Sequence, residues 1–342
     1  MGHGLSIRGD SLYCPLGLSL DSYWNCECDC LHCYLRRLNR TWGSQLRPTD
    51  PDETRKKLVN GLKNNSPSSY MAHALRQQKT IRFGNKTDPF QPAERKHRVS
   101  EALLKILRDL RWSFVIQTMC TEVMMDYRDL IGECKEFCVI QPIISPGAER
   151  DWEILERKRT TPISERFWHI KLLRSDGVKT AVNGEPFIPG FHTLKEFEDM
   201  MKRLRSEGVR NYNTYNFHFN DFVAKRLLDA GIDIMAIWEG NQNDRWRPVQ
   251  RKLIEIAQKY DIVLGCPDFV NSGSYHQTTN TCCGIDVPRP CTFNVHTWKR
   301  GQQMGDKFIF QRSFDGVGDL EEGRKVFEGK TTKMFTMKDI IE

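Results

Sequence analysis

Residues Trp24 to Leu35 read WNCECDCLHCYL, and this short run narrows both the architecture and the chemistry of the chain. Cys26, Cys30 and Cys33 stand at the spacing C-x3-C-x2-C, with His32 directly before the third. Three thiolates on one tight loop can hold three irons of a four-iron four-sulfur cluster, which leaves the fourth iron open to a small molecule. Structural clusters and zinc sites usually close with four protein ligands. A zinc knuckle on Cys26, Cys28, Cys30 and Cys33 is the competing reading, but C-x-C-x-C-x2-C lacks the two separated ligand pairs that zinc ribbons use.

The wider sequence fits metal chemistry. Twelve cysteines occur in 342 residues, grouped near both ends. The first ten residues have no apolar stretch of the secretory kind and no apolar run approaches a membrane span, so the expectation is a cytoplasmic chain whose thiols stay reduced. Lys and Arg number 51 against 44 acidic residues, a net +7 that permits a nucleic-acid partner without demanding one. Cys266, Cys282, Cys283 and Cys291 have no ligand spacing that supports an auxiliary cluster.

From about Ile81 to Gly265, apolar runs alternate with amphipathic stretches, which predicts βα units on a parallel sheet. Predicted strands are 80–84, 113–118, 137–144, 178–182, 212–217, 232–238 and 261–265. Helices are expected at 52–62, 99–110, 193–206, 221–230 and 249–259. In the second of these, Val99, Ala102, Leu103, Ile106, Leu107 and Leu110 share one face. After Gly265 the alternation fails. Residues 1–265 therefore form the predicted catalytic body, and 266–342 an irregular C-terminal extension capping it.

The cysteine spacing followed by this alternation resembles the radical S-adenosylmethionine (radical SAM) superfamily. Further motifs resemble its spore photoproduct lyase-like branch: IRFGNKTDPFQPAE at 81–94 is similar to a T-D-P-x-Q-P-x-E run, ERKRTTPISER at 156–166 to an E-x3-T-x5-R element, and EPFIPG at 185–190 to P-I-x-P-G. The resemblance implies an α/β fold, a partial (β/α)6 TIM-type barrel. It also implies a [4Fe-4S] cluster on Cys26, Cys30 and Cys33, and S-adenosylmethionine contacted by His32, Thr87, Asp88, Asn183 and Glu185. An external one-electron donor such as flavodoxin or ferredoxin is the implied partner.

Two positions depart from the branch. Its hydrogen-donating cysteine, three residues before the aspartate, is Asn85 here, and a Thr-Lys pair after the third strand is Thr118-Met119. Cys120, at the end of that strand, is a candidate hydrogen-atom donor, with a small buried hydrophobe as the plain alternative. The resemblance points to a thymine-derived base in DNA as substrate. Arg289, Trp298, Lys299 and Arg300 in the extension offer charge and a stacking ring for it. Tyr215, His218, Trp238 and Glu239 are candidate pocket lining. Two alternatives stay open: a radical SAM enzyme acting on a peptide or small metabolite, and a non-catalytic iron-sulfur or zinc protein.

Overall fold

The computed structural model describes residues 2–7, 16–35, 45–214, 217 and 219–265, without the side chains of 243 and 244. Eleven strands appear among them: β1 (Leu5–Ile7), β2 (Leu18–Leu20), β3 (Tyr23–Trp24), β4 (Arg47–Pro48), β5 (Ile81–Phe83), β6 (Phe114–Thr118), β7 (Cys138–Pro142), β8 (Lys179–Thr180), β9 (Val182–Asn183), β10 (Asn211–Asn213) and β11 (Val263–Gly265). One sheet runs β1-β2-β5-β6-β7-β8 and another β9-β10-β11. They join where Ile143 bridges Asn183 and where Ile144 N–H donates to Asn183 O at 2.8 Å. Apart from β1, which runs antiparallel to β2, the joined strands are parallel and follow chain order. Crossovers between parallel neighbours are right-handed as a rule, which puts the helices on one face. Among the described residues the sheet is open: β11 pairs only with β10, so a closed barrel is not seen.

The register separates the two faces. Leu18, Ile81, Phe114 and Cys138 pair in sequence, as do Leu20, Phe83, Ile116 and Ile140. All eight are buried in one core with Leu103, Leu104 and Leu107 of the helix Val99–Asp109. Val182, Tyr212 and Leu264 continue that face into a second core with Phe197, Met201 and Leu253. The opposite face carries Arg82, Gln117, Gln141, Asn183 and Asn213.

Local signals explain most helix ends. Asp50 caps Pro51–Lys63 by accepting from Asp52 N and Glu53 N. Thr193 and Glu196 form a capping box on Leu194–Ser206. Past that helix Gly208 takes φ +70, where a side chain would be strained.

Three expectations are corrected. The stretch 232–238 forms a helix, Ile234–Gly240, because Asp233 caps its N-terminus with bonds from Met235 N and Ala236 N; β11 takes the sheet position beside β10 instead. The last helix begins at Asn243 and runs through Pro248, with Trp246 and Gln250 buried on either side of the lost hydrogen bond. The strand 178–182 splits into β8 and β9 around Ala181, whose N–H donates to Ile140 O at 3.0 Å. Strands β1 and β2 have no counterpart among the strands expected from sequence. The extension 266–342 lies outside the described residues.

Candidate functional site

The cysteine loop leaves β3 and is held from three directions. On one side the segment 85–94 cradles it. The buried Asp21 carboxylate accepts from the N–H groups of Asn85, Lys86 and Thr87 at 2.9, 2.7 and 3.3 Å. Thr87 Oγ1 donates to Tyr23 O at 3.1 Å. Glu27 N–H donates to Gln91 Oε1 at 2.7 Å, Gln91 Nε2 donates to Asn25 O, and Glu27 Oε2 accepts from Ala93 N–H. Glu94 accepts from Tyr23 Oη and from the N–H groups of Ser100 and Glu101. The T-D-P-x-Q-P-x-E run is thus the seat of the loop.

On a second side, Leu31 N–H donates to Leu155 O at 2.7 Å. From the third, Arg226 on the helix Asp221–Asp229 donates to Cys30 O at 2.7 Å, to Asp29 O at 3.1 Å and to Asp29 Oδ1 at 2.7 Å. Arg157 and Arg159 share the other Asp29 oxygen at 2.9 and 3.1 Å. Asp29 itself adopts a left-handed φ of +52, a conformation that these contacts hold in place.

The thiols lie at the centre. Cys28 Sγ is 3.5 Å from Cys120 Sγ, and Cys30 Sγ is 3.6 Å from Met119 Sδ. Ligand atoms of Cys28, Asp88 and Cys120 fall within 4.8 Å of one another. The hydrogen bond to Cys28, with burial, pushes the Cys26 thiol well up; the bond to Cys120 does the same for Cys28, and burial does it for Cys30. At Cys120 the Cys28 bond pulls downward, but burial and Asp88 outweigh it and push the thiol up to about 12. These groups are protonated thiols without a metal, and metal binding would displace their protons.

A cavity of about 140 Å³, partly open to solvent, lies at the C-terminal strand ends. Cys26, Cys30, Thr87, Asp88, Asn183 and Glu185 all line it, so six residues singled out from sequence converge. Asp88 arrives already engaged: Oδ1 accepts from Thr118 Oγ1 at 2.7 Å and Oδ2 from Met119 N–H at 2.7 Å. Asn183 and Glu185 form an Asx-type turn, Glu185 N–H donating to Asn183 Oδ1 at 3.2 Å. Cys33, His32 and Cys120 do not line the cavity. His32 has a buried Nδ1 with no partner, and burial lowers its pKa to about 4, which keeps the ring neutral. Cys120 sits behind Cys28, the thiol that does reach the cavity wall. Trp238 and Glu239 are exposed on Ile234–Gly240, whereas Tyr215, His218, Arg289, Trp298, Lys299 and Arg300 lie outside the described residues.

Two buried polar networks support the floor. Arg166 donates to Thr161 O, Ile143 O, Thr160 Oγ1 and both oxygens of Glu156, so the E-x3-T-x5-R element is one hydrogen-bonded unit. Asp151 accepts from Ser145 Oγ, Gly147 N–H and His192 Nε2. Because Ile188 N–H donates to His192 Nδ1 at 2.8 Å, that ring carries its proton on Nε2. Burial opposes ionisation of Asp151, yet His192 and the surrounding donors hold its carboxyl below the ordinary range.

Solved structures share this fold. A Cys-to-Ser variant of spore photoproduct lyase superposes with a TM-score of 0.55 at 10% identity, covering 76% of this chain and 79% of that one. A further variant of the lyase, with bound AdoMet and dinucleoside spore photoproduct, gives 0.55 at 9% identity over 75% and 78% of the two chains. This is the radical SAM fold. Streptococcus suis SuiB bound to its precursor peptide SuiA shares it with a TM-score of 0.50 at 12% identity, over 79% of this chain and 53% of SuiB. No protein-family model and no curated protein sequence matches the chain. Within the radical SAM fold the cavity occupies the face where βα loops build active sites. No helix among the described residues is long and apolar enough to cross a membrane.

Sequence reasoning missed Arg82, Gln117, Asp29 and Arg226. The first two had a signal: each is a polar residue at an alternate position of a largely apolar strand, IRF and FVIQT. Arg226 had none, because its contacts lie nearly 200 residues away along the chain.

Proposed function

We propose that the chain is a radical SAM enzyme acting on a thymine-derived base in DNA. The observation that carries the enzymatic part is the cavity that gathers Cys26 and Cys30 with Asn183 and Glu185 at the strand ends. The residues fit the cofactor. Cys26, Cys30 and Cys33 would hold a [4Fe-4S] cluster, since their soft sulfurs share one loop whose backbone is clamped by Gln91, Leu155 and Arg226. S-adenosylmethionine would lie in the cavity against Thr87, Asp88, Asn183 and Glu185, while neutral His32 sits on the loop outside the cavity lining. A cluster held there would supply one-electron reduction of S-adenosylmethionine, with electrons from a flavodoxin- or ferredoxin-like donor, and so hydrogen-atom abstraction from the substrate.

The protein's own residues position and shield. The Asp21 and Glu94 hubs fix the loop against β5, and Asp88 ties the end of β6 to the loop thiols. Cys120 is the proposed hydrogen-atom donor: Cys28 S–H gives its hydrogen atom to the product radical, Cys120 S–H refills Cys28 across the 3.5 Å contact, and the Cys120 thiyl left behind takes one electron from the external donor and one proton to become the thiol again. With Asn85 where lyases carry their donor cysteine, isomerisation or modification of the base fits better than photoproduct repair. The likeness in fold to a lyase holding a dinucleoside supports the nucleotide substrate. The likeness to SuiB with a peptide supports a peptide as the second reading.

Anaerobic reconstitution tests the proposal. About four irons per chain are expected, with 5′-deoxyadenosine formed from S-adenosylmethionine and a reductant. Replacing Cys26, Cys30 or Cys33 by Ala should abolish both. Iron-loaded protein that never yields 5′-deoxyadenosine would leave only the non-catalytic binding reading. DNA affinity should fall as salt rises; absent DNA binding alongside intact cleavage would favour the peptide.

A further inference from the structure

The interior of a parallel barrel is usually filled by layers of branched apolar side chains. Here the face of the sheet turned from the helices carries Arg82, Gln117, Gln141, Asn183 and Asn213 on successive strands. Gln117 is 3% exposed, and its Nε2 donates to Gln141 Oε1 at 2.7 Å. That bond fixes the direction of the amide and leaves Gln117 Oε1 as a buried acceptor with no partner. Arg82 Nε–H is a buried donor in the same condition, while its Nη2 lies 3.7 Å from Glu185 Oε2. Buried polar atoms are nearly always paired, and those left unpaired bear a full desolvation penalty. Both residues line the cavity of the loop thiols, so the two unpaired groups belong to a ligand site.

A donor and an acceptor that line one cavity from neighbouring strands can complement a planar edge that presents a carbonyl next to an N–H. We propose that Arg82 and Gln117 read the imide edge of a pyrimidine base, Arg82 Nε–H donating to a ring carbonyl and Gln117 Oε1 accepting the ring N3–H. This deepens the nucleotide reading above and rests on it. Thymine and uracil present that edge. Cytosine sets a lone pair at N3 against Gln117 Oε1 and is disfavoured while Gln141 keeps its amide oxygen turned to Gln117 Nε2. Sites built to hydrogen-bond a substrate discriminate strongly against analogues that leave their polar groups unpaired.

Calorimetry on the anaerobically reconstituted full chain, with thymidine, N3-methylthymidine and deoxycytidine as probes, tests this. Thymidine should bind at least about tenfold more tightly than the other two, the scale of one buried hydrogen bond. Gln117→Met should lose that factor for thymidine and cease to distinguish the N3-methyl compound. Should that variant misfold, Arg82→Lys keeps the charge opposite Glu185 but removes Nε–H; it should weaken thymidine about tenfold while retaining N3-methyl discrimination. Equal binding of thymidine and N3-methylthymidine by the unaltered protein overturns the inference and leaves the nucleotide reading standing. So does a Gln117→Met loss that multiplies with methylation. If no thymidine probe binds while 5′-deoxyadenosine still forms, the nucleotide reading fails and takes this inference with it.

Discussion

Replacing Glu156 by Gln removes the only carboxylate hydrogen-bonded to Arg166 among the described residues. The Arg166 side chain is fully buried and that of Glu156 is 3% exposed. Arg166 would keep its bonds to Thr161 O at 2.7 Å, Ile143 O at 2.5 Å and Thr160 Oγ1 at 2.7 Å, but those acceptors carry no formal charge. Breaking one partner of such a pair costs about 3–5 kcal/mol, because the remaining charge stays buried without compensation. Against a total stability of roughly 5–15 kcal/mol the loss is large. With a urea slope near ~3 kcal/mol per molar, the unfolding midpoint should fall by about 1–1.7 M. Equilibrium denaturation followed by circular dichroism, in reductant, measures it. Glu156→Met combined with Arg166→Met should cost less than the sum of the single changes, since removing both charges removes the desolvation problem. A midpoint for Glu156→Gln within ~0.3 M of the parent, far short of the drop the slope implies, would refute the reasoning. So would strict additivity in the double variant.

Arg226→Ala should leave the fold intact but lower iron retained per chain after gel filtration, with Arg226→Lys intermediate because a point charge cannot span Asp29 and Cys30 together; unchanged iron content would remove the clamp's role. Asp151 has a folded pKa below its unfolded one, so its stabilisation is full above the ordinary carboxylate range and disappears as pH falls through and below it. Asp151→Asn should therefore flatten the decline in stability below about pH 4, measured by urea midpoints at several pH values. In Gly184→Ala the new Cβ would stand 1.8 Å from Tyr212 Oη, inside the buried bond from Tyr212 to Ile144 O. Overpacking of about 1–3 kcal/mol and a displaced Asn183–Glu185 turn are expected, read as a lower melting temperature and weaker S-adenosylmethionine binding.

Features that depend on short spacing were legible in the sequence. The cysteine loop, the strands at 81–83, 114–118 and 138–142, and the capped helix at 194–206 each carry their signal within a few residues. The stretch IDIMAIW misled because a short apolar run fits strand and helix alike, and only the cap at Asp233 distinguishes them. Strands β1 and β2 span three residues each, too few for a period to show. The T-D-P-x-Q-P-x-E run was recognisable as a pattern, but its work is done by contacts some 60 to 70 residues away, at Asp21, Tyr23 and Glu27. No local pattern encodes such pairings.

The Arg226 clamp also orders events in time. It joins positions separated by 196 and 197 residues, so during synthesis the cysteine loop emerges long before the side chain that will grip it. Contacts of such span form late in folding. A nascent chain would therefore present its thiols on a loop seated by the 85–94 segment yet still open towards the later helix. Arrival of the helix would then close it.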